Sequence, residues 1–502
     1  MGRISRVFSK QGAVDVEAVA AALQPRFALA AGPEKTVSHT WLDTFDWRLH
    51  SAGISLEYLD DGPLTMQSAD GTRLQGPLPA KKWPAQVDDL PAGRLRDALA
   101  PIVLPRALLP VVTARRAARE SRVLNADEKA IARLLTESAD DGISQVQIQP
   151  LRGYEADGDR VARLLGRVDG LTAVTVTPYD LALTCASRNP RDYEDNFAPH
   201  LRPETPAAVA IASVLAQFAA VIDDNVAGTI AAIDIEFLHD LRVAVRRSRS
   251  ILKLAGDVLP ANITEKFQLE FKWLGDLTTP VRDLDVYLLE LDRMAARLAS
   301  ADPDDLDPFR SFLIRHRATE RRRLVRGLRS RRFEQVMSGW RSALAQVVAE
   351  ADGGPSVATL ARQRLERAFR TVVRRGEKIA PDSPSDEVHS LRKRCKELRY
   401  LLEVFRPLCA DASYRPLVKE LKALQDTLGD FQDGEVQREA VREFAVVMMN
   451  EGAAPAATVL AMGELAAQLD AHQLAARAAL VGRLKPFLAN ENRARLKALV
   501  RR

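Results

Sequence analysis

The chain contains few cysteines and lacks the short motifs that mark bound metals or nucleotides. Its 502 residues include 3 cysteines, at positions 185, 395 and 409. This odd, unpatterned set fits a reducing cytoplasm better than a disulfide framework or a zinc site. No Gly-rich phosphate loop, Ser/His/Asp set or metal-spaced Cys/His cluster occurs in the sequence. We therefore expect neither a metal nor a cofactor.

Long apolar segments are also missing. No run approaches the roughly 18 apolar residues of a membrane-spanning helix, and residues 1–12 have no apolar core of the kind that secretory signals carry. We therefore expect a cytoplasmic protein with no membrane partner. The hydrophobic content of 46% and the charged content of 28% are globular values. At this length the chain exceeds one hydrophobic core, which predicts several domains.

Positive charge is concentrated in the C-terminal part of the chain. Residues 1–200 contain 24 Lys and Arg against 26 Asp and Glu, whereas the remaining residues contain 48 against 41. An excess of cations in one part of a chain predicts that an anionic partner binds there.

The fold class predicted from the sequence pattern is α+β multidomain. Residues 1–186 read as an antiparallel, β-rich domain with helices near 15–23 and 126–137. Its clearest predicted strands lie at 54–59, 64–68, 146–151 and 173–177. Residues 187–206 are polar and Pro-rich, which is typical of a linker.

Residues 207–502 are predicted to be all-α, in two halves at 207–350 and 357–502 separated by the turn-rich segment 351–356. The helices predicted in the first half lie near 207–228, 235–256, 262–279, 281–300, 304–330 and 332–350. A similar series follows in the second half. Each half is expected to form a helical bundle.

An internal repeat supports this division. The segment 239–252, HDLRVAVRRSRSIL, returns at 389–402 as HSLRKRCKELRYLL, offset by 150 residues. The same offset relates Leu274 to Leu424 and Asp283 to Asp433. A fixed offset over this length indicates a duplication. We expect the two halves to pair about a pseudo-two-fold axis that brings the two segments close together.

Each copy of the repeat places one histidine and three cations in a row on one helix face, at about 100° per residue. The rows consist of His239, Arg242, Arg246 and Arg249 in the first copy and His389, Arg392, Lys396 and Arg399 in the second. The neighbouring arc is apolar and includes Leu241 or Leu391. Solvated helix faces normally mix Glu with Lys, but these rows contain no acid. Matched positions in two copies favour a binding role over histidines that merely cap helices or join the halves.

Two further segments carry many arginines on one helical arc. Residues 309–332 place Arg315, Arg322, Arg326 and Arg329 there, and residues 362–378 place Arg367, Arg370 and Arg374 there. Each arc is either a surface for a polyanion or a solvated face paired with Asp and Glu elsewhere, and the sequence leaves both readings open.

Residues 207–500 resemble the CHAD family, the conserved histidine α-helical domain. The resemblance is carried by the segments 238–254, 274–286, 388–405 and 424–436, although the second aspartate segment is weakened to QDGEV. Members of this family are helical bundles that bind inorganic polyphosphate through a basic surface and associate with polyphosphate granules. The resemblance implies this function here, with the two rows as polyphosphate-binding residues and Arg322, Arg326, Arg367, Arg370 and Arg374 as secondary candidates.

The segment 39–59 resembles the CYTH family, a triphosphate-tunnel fold, and implies a degenerate tunnel-type domain over residues 1–186. In that family the first strand carries a Glu-x-Glu-x-Lys motif, and later strands carry Arg, Lys and acidic residues. The corresponding residues here are Arg6, Phe8 and Lys10, then Glu57, Leu59 and Gln67, then Gln145, Gln147 and Gln149. Hydrolysis of a triphosphate in such a fold needs carboxylates that hold a divalent metal. We therefore expect no enzymatic activity.

Two other functions remain as alternatives. A metal-dependent triphosphatase or cyclase would use the N-terminal domain, but the acids that such an enzyme needs are missing there. Nucleic-acid binding would use the basic rows, beside which only Tyr400 offers an aromatic ring for stacking on bases. Two weaker readings are an acid/base pair of His39 with Asp43 and a metal site at Asp283 and Asp285. Salt bridging at a helix start is the favoured interpretation of the second.

Overall fold

The computed structural model describes residues 6–60, 62–139, 143–174, 177–193, 200–254, 257–351 and 353–499. The chain forms two compact units, the N-terminal unit of residues 1–194 and the helical unit of residues 195–502. The boundary falls inside the predicted linker, of which residues 194–199 lie outside the described part of the chain.

The N-terminal unit is built on one antiparallel sheet. Its strands are β1 (Val7–Gln11), β2 (Ala28–Ala30), β3 (Glu34–Asp43), β4 (Ile54–Leu59), β5 (Leu64–Ser68), β6 (Arg73–Gly76), β7 (Ala85–Gln86), β8 (Ala107–Leu124), β9 (Ala130–Ala139), β10 (Ile143–Pro150) and β11 (Thr172–Ala173). Its helices are α1 (Val16–Leu23), α2 (Arg48–Ser51), α3 (Arg94–Val103), α4 (Glu155–Leu165) and α5 (Pro178–Cys185). The strand order is β11-β1-β10-β9-β8-β3-β4-β5-β6, and β2 and β7 both pair with β8. The predicted β-rich antiparallel domain is confirmed, and it is consistent with a tunnel-type fold.

The predicted helix near 126–137 is wrong, because most of it forms strand β9. Glu137 on this strand lies opposite Ala118 of β8 and Gln145 of β10, so both edges of β9 are hydrogen-bonded in ladders. Ile131 and Leu134 are buried in the core beneath the sheet. The segment is rich in Ala, Leu and Glu, but pairing on both edges and burial outweigh this intrinsic helix preference.

The two faces of this sheet differ in polarity. One face packs Phe8 and Val146 against α1 and α4. Arg6 also faces α4, where its Nη2 lies 2.8 Å from Asp159 Oδ1. The motif positions Arg6, Phe8 and Lys10 suggested by the resemblance are therefore on or beside the apolar face. The neighbouring Ser9 lies opposite Gln145 and belongs to the other, polar face.

The helical unit consists of ten helices over the residues that the structure describes. They are α6 (Ala207–Ala231), α7 (Ile235–Leu254), α8 (Ala261–Ala295), α9 (Asp307–Leu328), α10 (Arg331–Glu350), α11 (Val357–Gly376), α12 (Ser385–Val404), α13 (Asp411–Asn450), α14 (Ala456–Leu488) and α15 (Asn490–Lys497). The two helices predicted at 262–279 and 281–300 are one continuous helix, α8, with Pro280 inside it. Proline removes one backbone hydrogen bond, but Val281 and Leu284 beyond it are buried and keep the helix packed.

The halves of the helical unit share their hydrophobic cores. The main core includes Phe218 and Leu241 from the first half and Leu391 and Phe431 from the second. A second core joins the C-terminal part of α8 and the start of α9 to α13 and α14. By length and composition, α6 is the one helix in the described ranges that is long and apolar enough to cross a membrane. Half of the residues in its most apolar stretch of 18 residues are buried inside the unit.

Backbone contacts show that the halves are related by a pseudo-two-fold axis. The amide of Ala207 donates to the carbonyl of Pro355 at 2.9 Å, and the amide of Val357 donates to the carbonyl of Thr205 at 2.8 Å. The donor number rises by 150 from the first bond to the second, and the acceptor number falls by 150, so the two halves exchange places. The predicted pairing of two helical repeats is therefore confirmed.

Candidate anion-binding site

Helices α7 and α12 carry the two predicted rows. The side chain of Asp234 accepts hydrogen bonds from the amides of Glu236 and Phe237 at 2.9 and 3.2 Å and caps the start of α7. Leu241 and Leu391 are both fully buried. The predicted apolar arcs thus face the core, which turns the adjacent basic arcs away from it.

Two ion pairs link α7 to α12, and each occupies the repeat-equivalent position of the other. Arg247 Nη2 lies 3.0 Å from Glu403 Oε2, and Lys253 Nζ lies 2.9 Å from Glu397 Oε1. Residue numbers rise along α7 as they fall along α12, so the helices run antiparallel where they meet. Because 247 corresponds to 397 and 253 to 403, the crossing lies near the repeat-related residues 250 and 400. The predicted approach of the two segments is confirmed.

The aspartates of the repeat hold one arginine in each row. Arg242 lies 3.8 Å from Asp283, and the equivalent Arg392 lies 2.9 Å from Asp433. Asp285 is 3% exposed and pairs with Arg317. Salt bridging is therefore correct, but the predicted position at a helix start is wrong, because Asp283 and Asp285 lie well inside α8. No group of three or more His, Cys, Asp or Glu side chains that could hold a metal exists among the described residues.

A groove of about 470 Å³ lies where α7, α12 and α13 meet. It is lined by Arg246 and Arg247 of α7, by Arg392, Lys396, Arg399, Tyr400 and Glu403 of α12, and by Gln425, Asp426, Gly429, Asp430 and Asp433 of α13. We call this the basic groove. It brings cations from both predicted rows to one place.

Three cations of the rows have no carboxylate partner. Over the described ranges, Arg246, Arg249 and Lys396 have no carboxylate oxygen within 4.0 Å. The guanidinium of Arg246 lies 5.8 Å from the ring centroid of Tyr400. Burial, together with the neighbouring Arg392 and Arg246, lowers the pKa of Lys396 to about 8. A lysine whose charge is disfavoured in this way sits in a positive field that an anion would neutralise.

The groove also contains acids that the row pattern did not reveal. Asp426, Asp430 and Asp433 come from α13, and Glu403 comes from α12 itself. The positions 426, 430 and 433 follow the i, i+4, i+7 spacing of a single helix face. This spacing was visible in the sequence and could have identified them as one stripe.

The two histidines lie at the outer ends of the rows and are partly buried. His389 Nδ1 contacts the amide oxygen of Gln432. Neither His239 nor His389 is among the lining residues of the basic groove. The structure thus separates the histidines from the cations that meet there.

The secondary arginines lie elsewhere in the helical unit. Arg322 and Arg326 line a second groove of about 670 Å³ beside Trp273. Arg367, Arg370 and Arg374 are exposed on α11, where Arg370 forms an i,i+4 ion pair with Glu366 at 2.7 Å. None of these five arginines lines the basic groove.

The polar face of the N-terminal unit holds a buried charge cluster. His39 is 4% exposed and lies 3.6 Å from Glu57 and 3.3 Å from Glu137, while Arg116 lies 3.6 Å from Glu137. Burial alone lowers the pKa of His39, but contacts with the two carboxylates outweigh it and raise the pKa to about 9. Asp43 instead accepts hydrogen bonds from three backbone amides at 2.7 to 2.9 Å. The weaker reading of a His39–Asp43 pair is therefore wrong.

Comparison with known proteins agrees with the CHAD resemblance read from residues 207–500. The CHAD domain profile matches residues 213–442. These residues form a CHAD domain. The crystal structure of the CHAD domain from the plant Ricinus communis aligns with a TM-score of 0.50 and 27% identity, covering 58% of this chain and 95% of that chain.

Two curated relatives from Mycobacterium tuberculosis are uncharacterized. The match to Rv2226 has 27% identity over 225 residues, and the match to MT2285 in a second strain has 28% identity over 233 residues. Each match covers 43% of this chain and 42% of the relative. The similarity therefore spans less than half the length of these relatives.

Proposed function

We propose that the CHAD domain binds inorganic polyphosphate without catalysis, through the cations of the two rows. The observation that carries this proposal is that Arg246 from one row and Lys396 from the other meet in the basic groove, and neither has a carboxylate partner within the described ranges. Arginine forks bind phosphate oxygens in pairs, and lysine adds a point charge. Cations supplied by two repeats suit a linear anion whose charge repeats at regular intervals.

The family resemblance supports a location for this activity. Because CHAD proteins associate with polyphosphate granules, we propose that this chain acts at such granules in the cytoplasm.

We also propose that the N-terminal unit is a non-catalytic domain. Glu57 and Glu137 are the carboxylates of the buried cluster on its polar face, and His39 and Arg116 balance their charge. Carboxylates committed to buried cations are poorly placed to hold a divalent metal beside a triphosphate. We expect the full chain to release no orthophosphate from tripolyphosphate with Mg²⁺ or Mn²⁺. Metal-dependent release that the substitution Glu137→Gln abolishes would contradict this part.

Calorimetric titration of the full chain with polyphosphate of defined length tests the binding proposal. We expect saturable binding that weakens steeply as salt rises, because several cations release counterions from the phosphates. Competition with duplex DNA at fixed salt separates polyphosphate from nucleic acid. The proposal fails if polyphosphate does not bind, or if DNA displaces it at equal phosphate concentration.

A further inference from the structure

We infer that the basic groove takes polyphosphate together with a divalent cation such as Mg²⁺, held between phosphate oxygens and the carboxylates of Asp426 and Asp430. This inference rests on the proposed function and adds the form in which the ligand binds. It also assigns a role to the acidic wall of the groove.

Unpaired charges of both signs line this groove. Arg246 and Lys396 have no carboxylate partner, and Asp426 and Asp430 have no cation within 4.0 Å, over the ranges that the structure describes. Opposite charges that share a groove usually pair directly when nothing lies between them. A bare phosphate chain would neutralise the cations but would be repelled by the two aspartates. A phosphate chain carrying Mg²⁺ presents negative charge to the arginine and lysine and positive charge to the two aspartates.

Gln425 provides a second observation. Its side chain lines the groove and is 9% exposed, yet its amide oxygen and nitrogen are both buried without a hydrogen-bond partner. Buried side-chain amides are normally bonded on both atoms. Rotated towards the groove, the Gln425 side chain would offer Oε1, a hard oxygen of the kind that Mg²⁺ or its bound water prefers, and an Nε2 group that can donate to a phosphate oxygen.

Space is available beside these groups. Gly429 lies between Asp426 and Asp430 on α13 and has no side chain to fill the groove. A Cβ atom added at Gly429 would lie 4.0 Å from Arg392 Nη2 and from Asp433 Oδ2. The wall of the groove therefore has room beside Gly429.

Two aspartates are enough protein ligands for a Mg²⁺ ion that enters the groove already bound to the phosphate chain. Mg²⁺ is usually held by one or two carboxylates plus substrate phosphates and water. No group of three or more acidic, His or Cys side chains that could hold a metal is present in the described part of the chain. The phosphate must therefore supply the remaining ligands, and the protein alone should not retain the ion.

The first half of the repeat lacks this arrangement. Gly275 and Pro280 stand where the second half has Gln425 and Asp430, and only Asp276 corresponds to Asp426. The metal-dependent site is therefore confined to the second half. Asp276 provides a matched control, since it is exposed at the equivalent position of the other repeat.

The test is calorimetric titration of the full chain with polyphosphate, once in EDTA and once with Mg²⁺ in excess. Three proteins are compared: wild type, the double variant Asp426→Asn/Asp430→Asn, and the control Asp276→Asn. We expect Mg²⁺ to strengthen binding by about tenfold, a common size for coupling between two ligands, in wild type and control only. In EDTA the double variant should bind more tightly than wild type, because two repelling carboxylates are gone.

The outcomes separate this inference from the function on which it rests. If Mg²⁺ changes the affinity of all three proteins equally, the aspartates hold no ion and the inference is overturned, while polyphosphate binding stands. If polyphosphate binds in neither condition, the proposed function itself fails. Binding of the double variant in EDTA also shows that the variant is folded.

Discussion

Raising the pH should weaken polyphosphate binding through Lys396. Burial and the charges of Arg392 and Arg246 lower the pKa of this lysine from its ordinary 10.5 to about 8. A bound polyanion favours the protonated form and returns the pKa towards its ordinary value. The affinity is therefore unaffected well below pH 8 and falls as pH rises through the pKa of the free protein.

The size of the effect follows from linkage between proton and ligand binding. If the bound pKa returns fully, affinity should fall about 30-fold between roughly pH 7 and pH 9.5. The assay is calorimetric titration at these two pH values on wild type and on Lys396→Arg, which keeps its charge throughout. We expect the variant to lose most of the pH dependence. Equal slopes in the two proteins would refute the reasoning, because they would place the titrating group elsewhere.

Two predictions concern stability. Because the pKa of His39 is raised from 6.5 to about 9, its stabilising contribution is full below the lower value and is lost as pH rises through the upper one. The substitution His39→Gln should therefore destabilise the N-terminal unit by about 3 kcal/mol at neutral pH. In urea unfolding, the free energy of unfolding of the variant should fall less steeply as pH rises. If it falls as steeply as that of wild type, a group other than His39 causes the loss of stability. Reversing Arg247 to Glu should destabilise the helical unit by about 1 kcal/mol, since Glu403 faces it at 3.0 Å. Adding Glu403→Arg should restore most of that loss, and a double-mutant cycle with no coupling would show that the pair contributes nothing.

The helical repeat was predictable because its signal is local and appears twice. The periods of α7 and α12 place Leu241 and Leu391 in the core, and the fixed offset implies the pseudo-two-fold pairing. Strands β4 and β5 have the predicted bounds 54–59 and 64–68, because alternation and flanking turns mark them clearly.

Features that depend on distant partners were not predictable in the same way. The helix preference of residues 130–139 is overruled by two neighbouring strands, and α8 continues through Pro280 because packing on both sides supports it. Ion-pair choice is also non-local. The carboxylates that hold Arg242 and Arg392 come from other helices, and nothing in the rows themselves shows which cations stay unpaired.

The most direct test of the central claim compares two triple substitutions of equal charge. One replaces Arg246, Arg249 and Lys396 with Ala, and the other replaces Arg367, Arg370 and Arg374 with Ala on the exposed face of α11. Titration with polyphosphate at fixed salt should show that the first variant loses more than about 100-fold in affinity, since each of its three substitutions removes a charge-assisted contact. The affinity of the second variant should change little. Equal losses in both variants would mean that net charge rather than the unpaired cations of α7 and α12 binds the ligand, and would contradict the account.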